Sequence, residues 1–191
     1  MEMKKGQNVV EPSIAVSEFI EKINKLSFHD FPVSEVFKVL QKNPLPLALL
    51  EPYIFYSNAR YTRNLIYKSP EFALMVMCWQ PGQHSAVHGY EGEKCWARVE
   101  QGTLQVTDFQ EEPKTSTTML RPLATRVVKE GLIEDPFGIH QVKNVSTHNA
   151  ISLHLYIRPF NACDIYDLNT NQKTHIALGY HSIHGKLVAF E

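Results

Sequence analysis

Ile151-Ser-Leu-His-Leu-Tyr-Ile157 decides the fold class. Side chains two apart on a strand share a face, so Ser152, His154 and Tyr156 point one way and Ile151, Leu153, Leu155 and Ile157 the other. A strand polar on one side and aliphatic on the other suits a small barrel, with a polar interior cavity backed by a dry layer.

Outward from this stretch, short β-rich runs alternate with turn chemistry from Tyr61 onward. The expected strands are Thr62–Tyr67, Phe72–Trp79, Ala86–His88, Cys95–Gln101, Thr103–Phe109, Ala124–Glu130, His140–Asn144 and Ile176–His181. Turns fall at Pro81-Gly82, Gln101-Gly102, Glu130-Gly131 and Phe137-Gly138. With no helical pattern between them, these runs predict a sandwich or barrel. Upstream the period changes. Ser13–Leu26 places Val16, Phe19, Ile20, Ile23 and Leu26 on one helical face. Pro32 breaks the chain, Ser34 is the expected cap of a second helix reaching about Gln41, and a further turn is expected at Leu47–Leu50. The expectation is one mainly β domain over residues 1–191, with a helical lobe over 1–50 and a β-barrel over 51–191.

Composition excludes several function classes. The 191 residues are 43% hydrophobic, enough for one packed core, and the net charge is −1. No block of like charge occurs, so the electrostatic footprint of nucleic-acid or anionic-membrane binding is missing. Met1–Val10 has no apolar h-region, and no apolar run is long enough to span a bilayer. Cys78, Cys95 and Cys163 are widely spaced and form no C-x-x-C. That pattern argues against a disulfide scaffold and for a cytoplasmic, reducing setting.

Two segments carry the chemistry. Gly82-Gln-His-Ser-Ala-Val-His88-Gly-Tyr90-Glu-Gly-Glu-Lys-Cys95 and Pro136-Phe-Gly138-Ile-His140-Gln-Val-Lys-Asn144 fit the two halves of a β-barrel metal site. They offer His88 and His140 to a metal and put Tyr90 where the second histidine of an H-x-H pair would stand. In extended chain Tyr90 shares a face with His88. As a phenolate it would be a hard anionic donor that lowers the site's charge and favours ferric iron. As a phenol, with a pKa near its usual value of about 10, it would leave the metal two histidines and water. His84, four residues from His88, lies roughly 13 Å away in extended chain. Glu91 and Glu93 fall on the opposite face.

At these residues the chain resembles the cysteine dioxygenase family of the cupin superfamily. The resemblance runs from about residue 50 to the end. It rests on Tyr61-Thr-Arg-Asn-Leu65, Cys78-Trp79, His88 followed by Cys95, Gly138-Ile-His140-x3-Asn144, Ser152-Leu-His-Leu-Tyr156, Phe160-Asn-Ala-Cys163 and His181-Ser182. It implies a cupin double-stranded β-helix, or jelly-roll, barrel and one Fe(II) per chain. His88 and His140 would be ligands, with Tyr90 at the third place. It implies L-cysteine and dioxygen as substrates and cysteine sulfinate as product, in a monomer or weak oligomer. Arg63 would hold the substrate carboxylate, with Tyr61 and Trp79 beside it. His154 would orient Tyr156, and Cys95 and Tyr156 occupy positions joined as a thioether in some members. Arg63 favours an α-amino-acid thiol, because relatives acting on 3-mercaptopropionate carry glutamine there. Beside this stand a catalytically altered cupin that binds a small thiol or acid without efficient turnover, and a cupin with a different metal and reaction.

Overall fold

The computed structural model describes residues 14–89, 94–112, 119–134 and 138–189. Helices α1 (Ile14–Ser27), α2 (Val33–Lys42) and α3 (Leu47–Leu50) precede a 3₁₀ turn over Glu51–Tyr53. Strands follow: β1 (Thr62–Lys68), β2 (Phe72–Trp79), β3 (Val87–His88), β4 (Cys95–Gln101), β5 (Thr103–Glu112), β6 (Met119–Lys129) and β7 (Ile133–Glu134). Then come β8 (Ile139–Asn144), β9 (Ala150–Ile157), β10 (Ala162–Asp167), β11 (Gln172–Ala177), β12 (Ser182–Ile183) and β13 (Lys186–Leu187). Among the described residues no helix is long and apolar enough to cross a membrane.

The strands form a seven-stranded sheet, β13-β12-β1-β2-β9-β4-β7, and a six-stranded sheet, β11-β10-β3-β8-β5-β6. These two antiparallel layers, with one parallel pairing between β1 and β12, make the cupin-type barrel. Gly102 turns β4 into β5 with φ at 83°, and a Cβ there would stand 2.8 Å from Ala150 Cβ. The position therefore needs glycine for both conformation and space.

Strands β2 and β9 pair over their full lengths, from Phe72↔Ile157 to Trp79↔Ala150. Every residue of both is buried, because each strand serves two interiors. Leu74, Val76, Cys78, Leu153 and Leu155 pack with Val16, Phe19, Ile23, Val36 and Leu40 of the helical lobe. Met75, Met77, Trp79 and Tyr156 face inside the barrel, with Cys95, Val99, Leu104, Val106 and Val142. That double burial accounts for the unbroken apolar run of β2, which lacks the alternation of a one-sided strand.

Arg98 of β4 locks lobe to barrel. Its Nη1 donates to the Leu40 carbonyl at 2.6 Å, filling a helix-end acceptor, while Nε and Nη2 grip Glu100 at 2.8 and 2.9 Å. Burial pushes the Glu100 carboxyl up, and the Arg98 charge opposes the rise.

Some expectations shift. Helix α2 starts after Pro32, which makes no side-chain cap, and Ser34 lies within the first turn. Proline's fixed φ suits this start. β6 begins at Met119, five residues before the expected Ala124, and contains Pro122. Proline is tolerated because β6 is an edge strand and the β5–β6 register breaks between Asp108 and Phe109. β11 ends at Ala177, short of the expected His181, and β10 has no counterpart among the expected strands.

Candidate metal centre and substrate cavity

His88 on β3 and His140 on β8 are direct cross-strand partners, and their rings lie 4.4 Å apart. Each ring is aimed by a backbone carbonyl two residues upstream. His88 Nδ1 is 3.0 Å from the Ala86 oxygen, and His140 Nδ1 is 3.1 Å from the Gly138 oxygen. A carbonyl can only accept, so both rings carry their proton on Nδ1 and present a bare Nε2. Gly138 adopts φ of 73°, a left-handed turn that favours glycine and brings its carbonyl under the ring. Burial holds both imidazoles below their usual pKa, His140 down to about 3 with help from His88. Two neutral imidazoles with unprotonated Nε2 atoms fit a divalent transition metal held by nitrogen donors.

Among the described residues no three of His, Cys, Asp and Glu gather closely enough to hold a metal ion. Tyr90, Glu91 and Glu93 lie outside the described residues. His84 is turned elsewhere, its Nδ1 2.9 Å from the Ser85 carbonyl.

The two histidines open onto a cavity of about 590 Å³, its mouth included, lined also by Arg63, Met77, His154, Tyr156 and Cys163. The Tyr61-Thr-Arg-Asn64 motif divides by strand alternation. Tyr61 and Arg63 face this cavity. Thr62 and Asn64 turn into a buried network on the other face of the sheet. Thr62 Oγ1 donates to the Phe55 carbonyl at 2.5 Å, and Asn64 accepts from Ser182 Oγ at 2.9 Å. Ser182 of the C-terminal motif is thus a structural tie.

Arg63 is steadied by a bond from Nη1 to the Gly179 carbonyl at 3.2 Å and by the Tyr180 ring, 5.3 Å from the guanidinium. No described carboxylate pairs with it, which leaves further N–H donors for an anion. Tyr61 stacks on Trp79 at 4.4 Å and 10°. The Trp79 indole donates to Ser152 Oγ at 3.0 Å, and Ser152 lies 2.8 Å from His154 Nε2. The His154 and Tyr156 rings are nearly parallel, 6.0 Å apart. Burial, then the Arg63 charge, pushes His154 down to about 3.

Cys95 and Tyr156 are cross-strand partners. Ile157 N donates to the Lys94 carbonyl at 2.9 Å, which makes Cys95–Tyr156 a non-hydrogen-bonded pair, the kind whose side chains approach most closely. Asn144, read as part of the metal motif, is a brace. Its amide donates to the Trp79 and His148 carbonyls at 3.0 and 2.9 Å, tying the end of β8 to the end of β2.

Sequence reasoning placed Arg63, Tyr61, Trp79, His88, His140, His154 and Tyr156 in one site, and all line this cavity. It gave no site role to Ser152, although Ser152 sits two residues before His154 on one face. It gave none to Cys163, whose strand β10 is rich in Asp and Tyr and reads as loop.

Residues 8–169 match the family described as Cysteine dioxygenase type I. Cysteine dioxygenase type 1 of Rattus norvegicus is 35% identical over 158 residues, covering 80% of this chain and 77% of the relative. The Homo sapiens enzyme of that name is 34% identical over the same shares, and that of Danio rerio 31% identical over 83% of this chain and 80% of the relative.

Proposed function

Because this chain belongs to the cysteine dioxygenase type I family, we propose that it is an oxidoreductase that oxidises the thiol of L-cysteine with dioxygen to cysteine sulfinate. The convergence of His88, His140 and Arg63 on one cavity carries this reading. Both oxygen atoms of dioxygen end on sulfur, which gives up four electrons, so the reaction needs no outside reductant. His88 and His140 would hold Fe(II), with Tyr90 at the third place. Bound there, iron supplies the redox centre at which a thiol and ground-state dioxygen can react, and its charge favours the thiolate.

The remaining work falls to the chain. Arg63 donates to the substrate carboxylate, a planar fork matched to two oxygens. That contact sets which end of the amino acid faces the histidines. Tyr61, stacked on Trp79, and Met77 wall the cavity and keep bulk water from the reacting sulfur. His154 and Tyr156 border the same space with polar groups. A thioether between the cross-strand partners Cys95 and Tyr156 would remove one hydrogen from each side chain, with dioxygen as the acceptor. Intact mass should then be two hydrogens lighter, and Cys95→Ser should abolish the loss. A protein unmodified after many turnovers would exclude the crosslink.

The deciding experiment is oxygen uptake by iron-loaded protein at millimolar cysteine, with the product identified as the sulfinate. No uptake would sink the dioxygenase reading. Tyr90 favours a second reading, a cupin that binds a small thiol or acid and turns it over poorly. Tyr90→His, compared at equal iron occupancy, should then tighten iron binding and raise turnover. Equal rates in the two proteins would remove that reading.

A further inference from the structure

Beside Arg63 lies a second cavity, of about 460 Å³ with its mouth included, bordered by Arg60, Arg63, Gly179 and His181. Tyr61, Arg63, Ile176 and Leu178 line both this space and the histidine cavity, so the two share a wall. Arg60, Ala177 and Gly179 are exposed, which puts the second cavity on the outer side of that wall. Arg63 stands in the wall with one end on each side. Its Nη1 donates to the Gly179 carbonyl at 3.2 Å, toward the outer cavity. Its Nη2 lies 3.9 Å from Sδ of Met75, which belongs to the barrel interior.

The outer cavity is cationic. Arg60 and Arg63 bring two permanent charges, and His181 brings an imidazole. Among the described residues no carboxylate lines it. Burial, then the Arg60 charge, holds the His181 imidazole below its ordinary value, so it enters the cavity neutral, with one ring N–H to donate. Its backbone is held at both ends. The His181 amide donates to the Arg63 carbonyl at 2.7 Å, and the His181 carbonyl accepts from Val188 N at 3.0 Å. Charges of one sign gathered in a cleft focus the field there and draw in a counter-ion.

We propose that the outer cavity is a second anion site, at which Arg60, Arg63 and His181 take the oxyanion of a small amino acid. That oxyanion is the carboxylate of the arriving substrate or the sulfinate of the departing product. Naming these ligands rests on the reading of the histidine cavity as a thiol-oxidising site; the anion site follows from the geometry. An anion held there lies one guanidinium away from the place where Arg63 receives the substrate carboxylate. The outer site thus concentrates ligand beside the inner one.

The test is an NMR titration of the full-length, Zn(II)-loaded protein with labelled histidine, at ionic strength held constant with chloride. Inorganic sulfate, cysteine sulfinate and cysteamine are added in turn. Sulfate and the sulfinate should each shift the His181 ring signals saturably, and cysteamine, which has no oxyanion, should not. Arg60→Gln should weaken both responses by roughly tenfold or more, as expected for the loss of one charge-assisted contact. In oxygen uptake with cysteine, Arg60→Gln should lower kcat/KM about threefold at low salt, leave kcat unchanged, and match the parent at high salt. No saturable His181 shift, or an equal one in Arg60→Gln, would overturn the site. A response to sulfate with none to the sulfinate would overturn its assignment to substrate and product. The titration reads the same whether or not the protein oxidises thiols, so oxygen uptake by the parent tells failure of the dioxygenase reading apart.

Discussion

On strand β9, Leu153 and Leu155 face the helical lobe, while His154 and Tyr156 line the cavity and Ser152, on the same strand face, backs His154. One strand thus borders two interiors of opposite chemistry. On the lobe side the forces are non-directional, and any side chain of the right volume serves. On the cavity side each polar atom depends on a particular partner at a particular distance, as in the Trp79–Ser152–His154 chain. The lobe face should therefore respond to mutation in stability, and the cavity face in metal binding and turnover.

The largest effect should come from the cavity face. His140→Ala should weaken metal binding and slow cysteine oxidation by more than about a hundredfold. Unfolding of the metal-free protein should change little. Titration of metal against a competing chelator checks the first part, and unchanged stoichiometry and affinity would remove His140 from the ligand set.

On the lobe face, Leu153→Ala should destabilise the fold by about 2–5 kcal/mol through lost burial and a residual cavity. Urea unfolding should show this as a lower midpoint at constant slope. Activity per folded molecule should hold. A collapse of activity in fully folded variant would mean that the two faces are coupled.

Arg63→Gln belongs to the cavity face but touches only the carboxylate end of the substrate. Losing a charge-assisted bond costs roughly 1.5–3 kcal/mol, one to two decades in kcat/KM for cysteine. Cysteamine, which has no carboxylate, should be nearly unaffected. Equal losses for both thiols would show that Arg63 does not read the carboxylate.

The smallest effect should appear at Cys78, which faces the lobe. Burial pushes its thiol up from 9.0 to about 11. The folded state therefore keeps a proton that the unfolded chain releases near pH 9. Stability from this group is complete below that pH and drains away as pH rises toward 11. Between pH 9 and 10 the loss should reach at most about 1.4 kcal/mol, and Cys78→Ala should flatten that part of the profile. A profile identical in both proteins would mean that Cys78 ionises normally.

Legibility followed the range of the forces involved. The alternation of Ile151–Ile157 and the helical period of Val16, Phe19 and Ile23 are local patterns, and both elements formed as read. β2 is also legible to its ends, as an apolar run stopped by the turn at Pro81-Gly82. β10 was missed because its Asp164 and Tyr166 face partners on neighbouring strands. His175 Nδ1 bonds to Asp164 at 2.8 Å across β10–β11, and that pairing is invisible in the composition of either strand. Asn144 enters the sequence reading only as part of the His140 motif, and the fold gives its amide the work of holding two carbonyls.

By itself the sequence determined the cupin class, the two faces of β9 and the residue types that make a metal site chemically possible. Periodicity and residue chemistry are properties of short stretches. Tertiary structure decided which residues meet: that His88 lies opposite His140, that Arg63 faces the cavity while Thr62 and Asn64 face away, and that Trp79 reaches Ser152. Those contacts join positions far apart in the chain. They depend on strand register, which is settled only when the two sheets bury their faces together.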